Sequence, residues 1–465
     1  MTDNEAKNNP ELDDIKTTNE NLSSRSGLAF FPPYLKEIGI LERLDKTFGS
    51  IRKIDRGLKV REAFKQLICF FVDGTDLSLS RFDELADKTG YRKTIQTSTD
   101  QMASSDQIRR FLDGFSYLRN FHFRKVFQDL FVWRIKHEQP DLITLDIDTM
   151  VMDNDEAYQR EGVDYTYKGV RGFQPLMVKW DGIIVDAVLR RGKKHSNHSD
   201  SAHKMIRHLV QRIRSEYRAE VPIIITGDSG FYDGDLFETL EELEVGYVIG
   251  GRLEEEIDEF TDQFNEKQWE RIQKEDAVYE ALEFGWNCQE WKKTRRMVLS
   301  RRVDAGGQTQ LSFARKRNTY VTNLGMGGGI QSDLQQVGKT DLGELDNLLR
   351  LAHGRGDGER THRCFKEFGT EQLPMIRFEP NNAYFNIMVL AFNLYEAFKA
   401  DILPEGVLSA ECMPSTFRRK LIDVAGKVVK TGRCVYLKVT EQVYDRFHLD
   451  EIWTQVNSPP VSLVV

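Results

Sequence analysis

Three acidic positions have the type and spacing that metal-assisted chemistry needs. Asp146 and Asp148 stand two residues apart in LITLDIDTMVM (142–152), a β-branched apolar run with polar interruptions that reads as a strand. Strand side chains alternate, so both carboxylates project from one face, about 6.6 Å apart along the chain. Asp228 follows the apolar run VPIIIT (221–226), where a strand gives way to a turn, and Glu359 opens a helical stretch much later. Carboxylates gathered in this way can hold two divalent cations about 3.5–4 Å apart, one activating an attacking hydroxyl and the other stabilising the leaving oxygen of a phosphoryl transfer. Mg²⁺ suits such ligands because it prefers oxygen and keeps waters for a substrate phosphate. Each position also has a plainer reading. Asp-x-Asp fits a solvated strand edge, Gly-Asp-Ser-Gly (227–230) fits a simple turn, and Glu359 fits a charged surface.

The elements that must position these groups follow from periodicity. Residues 1–25 are polar and read as a disordered tail. From Phe30 to about Glu138 apolar residues recur at three- and four-residue spacing, which predicts a helical domain over 26–139. After Pro140 the pattern becomes strand-like. PLMVKW, Asp181-Gly182 and IIVDAVLRR predict a hairpin on a type I′ turn. An amphipathic helix (199–217), the strand before Asp228, another helix and the strand VGYVIGG complete 140–251. The order predicts an α/β domain with a mixed sheet covered by helices. Residues 252–325 break the rhythm with β-rich segments and three of the six tryptophans, and are expected to be an inserted subdomain. Helices resume over 326–400, and 401–465 ends in a basic hairpin.

The chain has 465 residues, 40% apolar and 30% charged, with no stretch near the roughly 20 apolar residues of a membrane span. Its N-terminus has no apolar signal core, so a soluble cytoplasmic protein with no membrane partner is expected. The five scattered cysteines form no C-x-x-C pair, which argues against a disulfide scaffold or structural zinc. Net charge is −8, but it is unevenly placed. Residues 252–283 hold twelve acidic against four basic side chains; residues 291–317 hold nine basic against one acidic. A further basic run covers 415–438. Because phosphate binding depends on where positive charge lies, the overall acidity does not exclude DNA. Two other motifs fail. GMGGGI (325–330) with GKT (338–340) lacks the P-loop spacing, since Asp333 stands where a glycine is required. His195, His198, His203 and His208 match no zinc pattern.

Read together, the motifs carry a resemblance. LDID (145–148), the following hairpin, GDSGF (227–231), VGYVIG (245–250), VTNL (321–324), RGDGERTHRCFK (355–366) and NNAYFNIMVLAFNLYEAF (381–398) occur in the order found in insertion-sequence transposases of the DDE type in bacteria. The resemblance covers about 142–438 and implies an RNase H-like catalytic domain interrupted by a β-rich insertion. It implies that one of Asp146 and Asp148, then Asp228, then Glu359, are the catalytic carboxylates and metal ligands. The family's usual Asp-x-Thr favours Asp148, but Thr149 and Met150 follow here, so Asp146 stays a candidate. Arg355, Glu359 and Lys366 match R-x3-E-x6-K, with Arg355, Arg363 and Lys366 expected on phosphates beside the cut. Ala352 replaces the tyrosine often found before that arginine. One helix is expected to end near His353 and the next to begin after Asp357 as its N-cap.

The insertion would hold a DNA end through Trp286 and Trp291, with Lys292, Lys293, Arg295 and Arg296 on its backbone. The tryptophans also fit a packed core. The implied activity is cut-and-paste transposition with Mg²⁺, for which Mn²⁺ can substitute. The implied partners are double-stranded DNA (terminal inverted repeats and target) and a second copy of the chain, as a homodimer on DNA at the bacterial nucleoid. An inactive DNA-binding derivative and a metal-dependent nuclease without strand transfer are the alternatives.

Overall fold

A computed structural model of the chain describes residues 17–18, 20–51, 57–193, 201–274, 277–288, 291–305, 308–309, 317–354, 356–460 and 463. Its centre is one mixed sheet. The strands are β1 (Ile143–Thr149), β2 (Leu176–Trp180), β3 (Ile183–Val188), β4 (Ile223–Gly227), β5 (Gly246–Gly250), β6 (Glu270–Lys274), β7 (Ala277–Trp286), β8 (Arg295–Ala305) and β9 (Arg317–Thr322). They lie in the order β6-β7-β8-β9-β5-β4-β1-β2-β3, with the short strand Gln308–Thr309 beside β8. β1, β4 and β5 are mutually parallel, β2 is antiparallel to β1, and β3 to β2. The half β3-β2-β1-β4-β5 is the RNase H-like arrangement. The β2–β3 hairpin turns on Asp181 and Gly182, with φ of 43° and 80°, the two positive angles a type I′ turn requires.

The segment 252–325, expected to be a separate insertion, extends this same sheet. β9 pairs with β5, and β8, β7 and β6 add outward from it. Met297, Leu299 and Val321 are fully buried in the apolar cluster that also contains Ile147 and Ile225, so the added strands continue one apolar face. In a separate three-stranded sheet, Leu22–Ser23 pairs with Gly426–Thr431, which forms a hairpin with Cys434–Lys438. The end of the expected tail is therefore a strand; residues 1–16 and 19 lie outside the described residues.

Helices cover both faces. α1 (Tyr117–Glu138), α2 (Ser201–Glu216) and α3 (Gly234–Glu242) pack on the face formed in β1 by Ile143, Leu145 and Ile147. α4 (Leu345–His353), α5 (Gly356–Phe368) and α6 (Phe378–Ile402) lie on the opposite face, the one that carries Asp146 and Asp148. α6 is almost wholly buried because the N-terminal helices close over it. Phe71 of Val60–Asp73 meets Phe368 and Tyr384 at ring-centre distances of 6.4 and 5.1 Å, and all belong to one cluster. Among the described residues no helix is long and apolar enough to cross a membrane.

A buried ion pair joins α1 to the sheet. Arg124 donates to both oxygens of Asp186 on β3, at 2.7 and 2.6 Å, and Gln128 adds a bond of 2.8 Å. Asp186 is fully buried, so removing its cation strands a charge in low dielectric. Arg124→Ala is expected to cost about 3–5 kcal/mol in urea unfolding, and pairing Arg124→Met with Asp186→Leu to restore most of that loss.

Candidate active site

The parallel pairing of β1 with β4 sets the geometry. Asp146 is level with Thr226 and Ile147 with Gly227. Asp148 is the next residue of β1 and Asp228 the residue that follows β4, so the two carboxylates come from adjoining ends of neighbouring parallel strands. Side chains at one level do meet here: the Thr226 hydroxyl donates to Asp146 Oδ1 at 3.0 Å. Asp228 also builds the turn that follows, accepting from the Gly230 amide at 2.9 Å. Both the turn reading and the chemical reading of GDSG thus describe the same carboxylate. The phenol of Tyr167 senses the pair: its pKa is raised by burial first, then by the charges of Asp148 and Asp228.

Lys179 on β2 was not singled out from sequence. It is paired in register with Asp146, is almost fully buried, and its ammonium lies 2.8 Å from Asp146 Oδ2 and 3.3 Å from Asp148 Oδ2. The closer contact is an ion pair without hydrogen-bond geometry, whereas the longer one is a hydrogen bond. Lys179 also donates to the Gly358 carbonyl at 3.1 Å. Gly358 is inside α5, which begins at Gly356 and not after Asp357 as expected. Its glycine has a steric cause. A Cβ there would overlap Asp146 Oδ2 and stand 2.9 Å from Lys179 Nζ.

Glu359, the next residue, is exposed in the first turn of α5. One turn on, His362 Nδ1 lies 3.4 Å from Asp148 Oδ2. Burial and the Lys179 charge lower its pKa to about 4, so the ring is neutral at pH 7. The spacing Glu359-x-x-His362, which places both on one helix face, was the available signal for it. A cavity of about 950 Å³ opens between α4, α5 and α6 with Asp146, Lys179 and Gly358 in its wall. Asp146 is thus held between Lys179, Thr226 and this cavity, while Asp148 meets Lys179, the Thr149 amide and His362. Asp148 and Asp228 offer hard oxygen donors from adjoining ends of neighbouring strands, and Glu359 is adjacent to the glycine that packs on Asp146; donors of this chemistry suit a hard divalent cation. Among the described residues, no three His, Cys, Asp or Glu side chains are already close enough together to hold one. Glu359 is exposed, and the Lys179 ammonium stands between the other two carboxylates of β1.

A transposase family model, the DDE domain group 1, matches residues 8–458. The chain belongs to the DDE transposases. A search of curated proteins gave no match. Among solved structures, the piggyBac transposase synaptic complex with hairpin DNA aligns at 13% identity over 87% of this chain and 83% of that one, with a TM-score of 0.37.

Within this transposase the remaining expected DNA contacts separate into two groups. Arg363 is exposed and Lys366 half-buried on α5, Lys366 bonding Glu371 at 2.8 Å; Arg355 lies outside the described residues. The cluster 291–296 is instead engaged within the fold. Trp291 is 6% exposed and packs on Phe237 and Tyr232; Trp286 packs on Phe260 and Phe284. Arg295 is 2% exposed and bonds both oxygens of Glu241 at 2.9 and 3.0 Å. Lys293 pairs with Glu241 and Lys292 with Glu238, at 3.0 and 2.6 Å, and Arg296 pairs with Glu283. As placed, Trp291 and Arg295 have no face to offer DNA. Of the histidine cluster, His195 and His198 lie outside the described residues, and the His203 ring meets Thr239 at 3.0 Å.

His353 turns away from the carboxylates and accepts from Lys274 at 2.9 Å, with the Tyr279 ring at 4.9 Å. Its pKa is lowered to about 4 by burial and then by Lys274. The unfolded ring titrates near 6.5, so the unfolded chain binds the extra proton first and this site's contribution falls as pH drops from about 6.5 to 4. Replacing His353 with Gln should flatten that part of the stability–pH profile in urea unfolding. Lys179→Met leaves Asp146 and Asp148 facing each other without a cation. It is expected to lower stability at pH 7 by about 3–5 kcal/mol, with much of the loss recovered when Asp146→Asn is added.

Proposed function

We propose that the chain is an active cut-and-paste transposase. It binds the terminal inverted repeats of its insertion sequence, cuts at the repeat ends and joins the freed 3′-hydroxyls to target DNA. The observation that carries this is that Asp148 and Asp228 come from adjoining ends of neighbouring parallel strands, with Glu359 next to the glycine of α5 that packs on Asp146. Asp148, Asp228 and Glu359 are the proposed ligands of Mg²⁺ or Mn²⁺, which when bound would activate the attacking hydroxyl and stabilise the leaving oxygen. Asp146 is assigned a supporting role beside Lys179. Lys179 supplies the fixed positive charge that lets two carboxylates share one strand face. Neutral His362 orients Asp148 without competing for the site as a cation. Arg355, Arg363 and Lys366, on and beside α5, bind phosphates next to the cut and hold them in line with the carboxylates.

In this reading the helices of 26–139 bind the DNA end, 140–251 and 326–400 form the catalytic part, and 401–465 adds a basic hairpin for the backbone. Joining two ends requires two protomers, so a homodimer assembles on DNA at the nucleoid.

The test uses labelled DNA carrying the inverted repeats that flank the gene, with Mg²⁺ or EDTA. Metal-dependent cleavage at the repeat ends is expected. Glu359→Gln, Asp228→Asn and Asp148→Asn should each reduce it on the order of 10³-fold, the equivalent of several kcal/mol of lost charge stabilisation, with specific binding retained. Asp146→Asn should cost far less. Specific binding with no cleavage in either metal would mark the chain as an inactive DNA-binding derivative. Cleavage without joining would mark a nuclease.

A further inference from the structure

Between β1 and β2 the chain makes an excursion, residues 150–175, for which the catalytic reading has no use. Met152–Asp153, Asp164–Tyr165 and Arg171–Phe173 form a small three-stranded sheet of their own. The last two strands are a hairpin closed by a turn in which the Gly169 amide donates to the Thr166 carbonyl at 3.0 Å, with Gly169 at φ 76°. The Thr166 hydroxyl donates across the same turn to the Val170 carbonyl at 2.8 Å. Gly172 and Gly192 lie so close to the carbonyls of Met152 and Asp164 that any Cβ would overlap them, so the finger is packed tightly on its base.

What this finger presents is aromatic. Tyr158, Tyr165 and Tyr167 are 53%, 57% and 59% exposed. Single exposed aromatics are ordinary, but these three are organised around cations. Tyr165 and Arg171 are direct cross-strand partners. The Arg171 guanidinium lies 4.9 Å from the Tyr165 ring centre and 5.0 Å from that of Tyr158, and it donates to the Tyr165 hydroxyl at 3.0 Å. At the tip, the Lys168 ammonium stands 5.8 Å from the Tyr167 ring. Two acidic groups of the finger are already countered: Glu161 by Arg191 at 2.9 Å and Asp164 by Lys193 at 3.0 Å. The finger springs from the end of β1, two residues after Asp148, and returns directly into β2.

We propose that this finger is a stacking site for unpaired nucleotides beside the scissile phosphate. The assignment rests on the transposase reading above. Bases inside a duplex show only their edges, because their faces are stacked on one another; exposed rings can engage them only where the strands have opened. Aromatic faces accept any base, and the interleaved Arg171 and Lys168 offer cations to the phosphates of the same strand. Tyr158 and Tyr165 with Arg171 form the platform, and Tyr167 with Lys168 extends it at the tip.

The experiment compares two forms of the repeat end in EDTA, one fully paired and one with four unpaired nucleotides at the cut, one of them 2-aminopurine. The unaltered protein should quench the 2-aminopurine fluorescence and bind the opened end more tightly than the paired one. Tyr158→Leu with Tyr165→Leu should abolish the quenching and weaken binding of the opened end about ten-fold, leaving the paired end unchanged. Tyr158→Phe with Tyr165→Phe, which keeps the rings, should behave as the unaltered protein. Undiminished quenching and affinity in the leucine variant would overturn the proposal, as would an equal loss on both DNAs. Binding of neither DNA by the unaltered protein would overturn the transposase reading, and the stacking site with it. Quenching without cleavage in Mg²⁺ would separate the two, leaving the stacking site in place and removing catalysis.

Discussion

The arrangement depends on one ammonium group. Asp146 and Asp148 point the same way from one strand, partly withdrawn from water, where two like charges repel far more strongly than in bulk solvent. Lys179 reaches them from the neighbouring strand and is itself almost fully buried, so cation and carboxylates are each tolerable only because of the other. The same ammonium binds the Gly358 carbonyl, which draws the first turn of α5 onto the sheet. His362 meets Asp148, and Glu359 stands beside Gly358 in the same turn, because of that contact. The glycine is required at 358 because the carboxylate and the lysine already fill the space a side chain would use.

A second constraint is electrostatic and lies away from the site. The acidic stretch 252–283 and the basic stretch 291–317 are equal and opposite in charge, and the sheet sets them against one another. Glu280 pairs with Arg301 at 2.7 Å, directly across β7 and β8, and Arg296 of β8 pairs with Glu283 of β7. Arg317 reaches Asp258 and Asp262, both at 2.8 Å. Exposed pairs of this kind contribute little stability individually. Their effect is on charge: they neutralise a segment that in isolation reads as a phosphate-binding surface. Charge runs in a sequence report a partner only when the fold leaves them unmatched.

Much of the core was legible because it rests on local rules. Strand alternation placed Asp146 and Asp148 on one face, and Asp181-Gly182 specified its hairpin by backbone chemistry alone. The strand-to-turn junction at Asp228 was equally local. Lys179 and the tyrosine finger were not legible, since nothing near them in the chain marks them, and His362 was marked only by its i+3 spacing from Glu359. Lys179 sits in an ordinary hydrophobic strand and matters only through its register with Asp146. The boundary of α5 was misread for a related reason: three glycines in five residues look like a helix break until the carboxylate packed against Gly358 is known. The extension of the sheet by β6–β9 was likewise hidden, because a strand added to a sheet and a strand in a separate subdomain have the same pattern.

The proposed choice of Asp148 over Asp146 rests on register, where spacing leaves the two open. Alternation makes the two equivalent, and no local property of LDID separates them. Parallel pairing with β4 ends the equivalence, because Asp146 is level with Thr226 inside β4, whereas Asp148 lies one residue past the last pair, Ile147 with Gly227, where the neighbouring chain turns at Asp228. Asp146, two positions back, is met by the body of β4 at Thr226 and by Lys179, and lines the cavity beneath α4, α5 and α6. Asp148 accepts from the same Lys179 and from the Thr149 amide, and lies beside the neutral His362 ring. One ammonium thus holds both carboxylates, and in the proposed reading it is Asp148, nearest the strand end after which Asp228 follows, that turns to the metal.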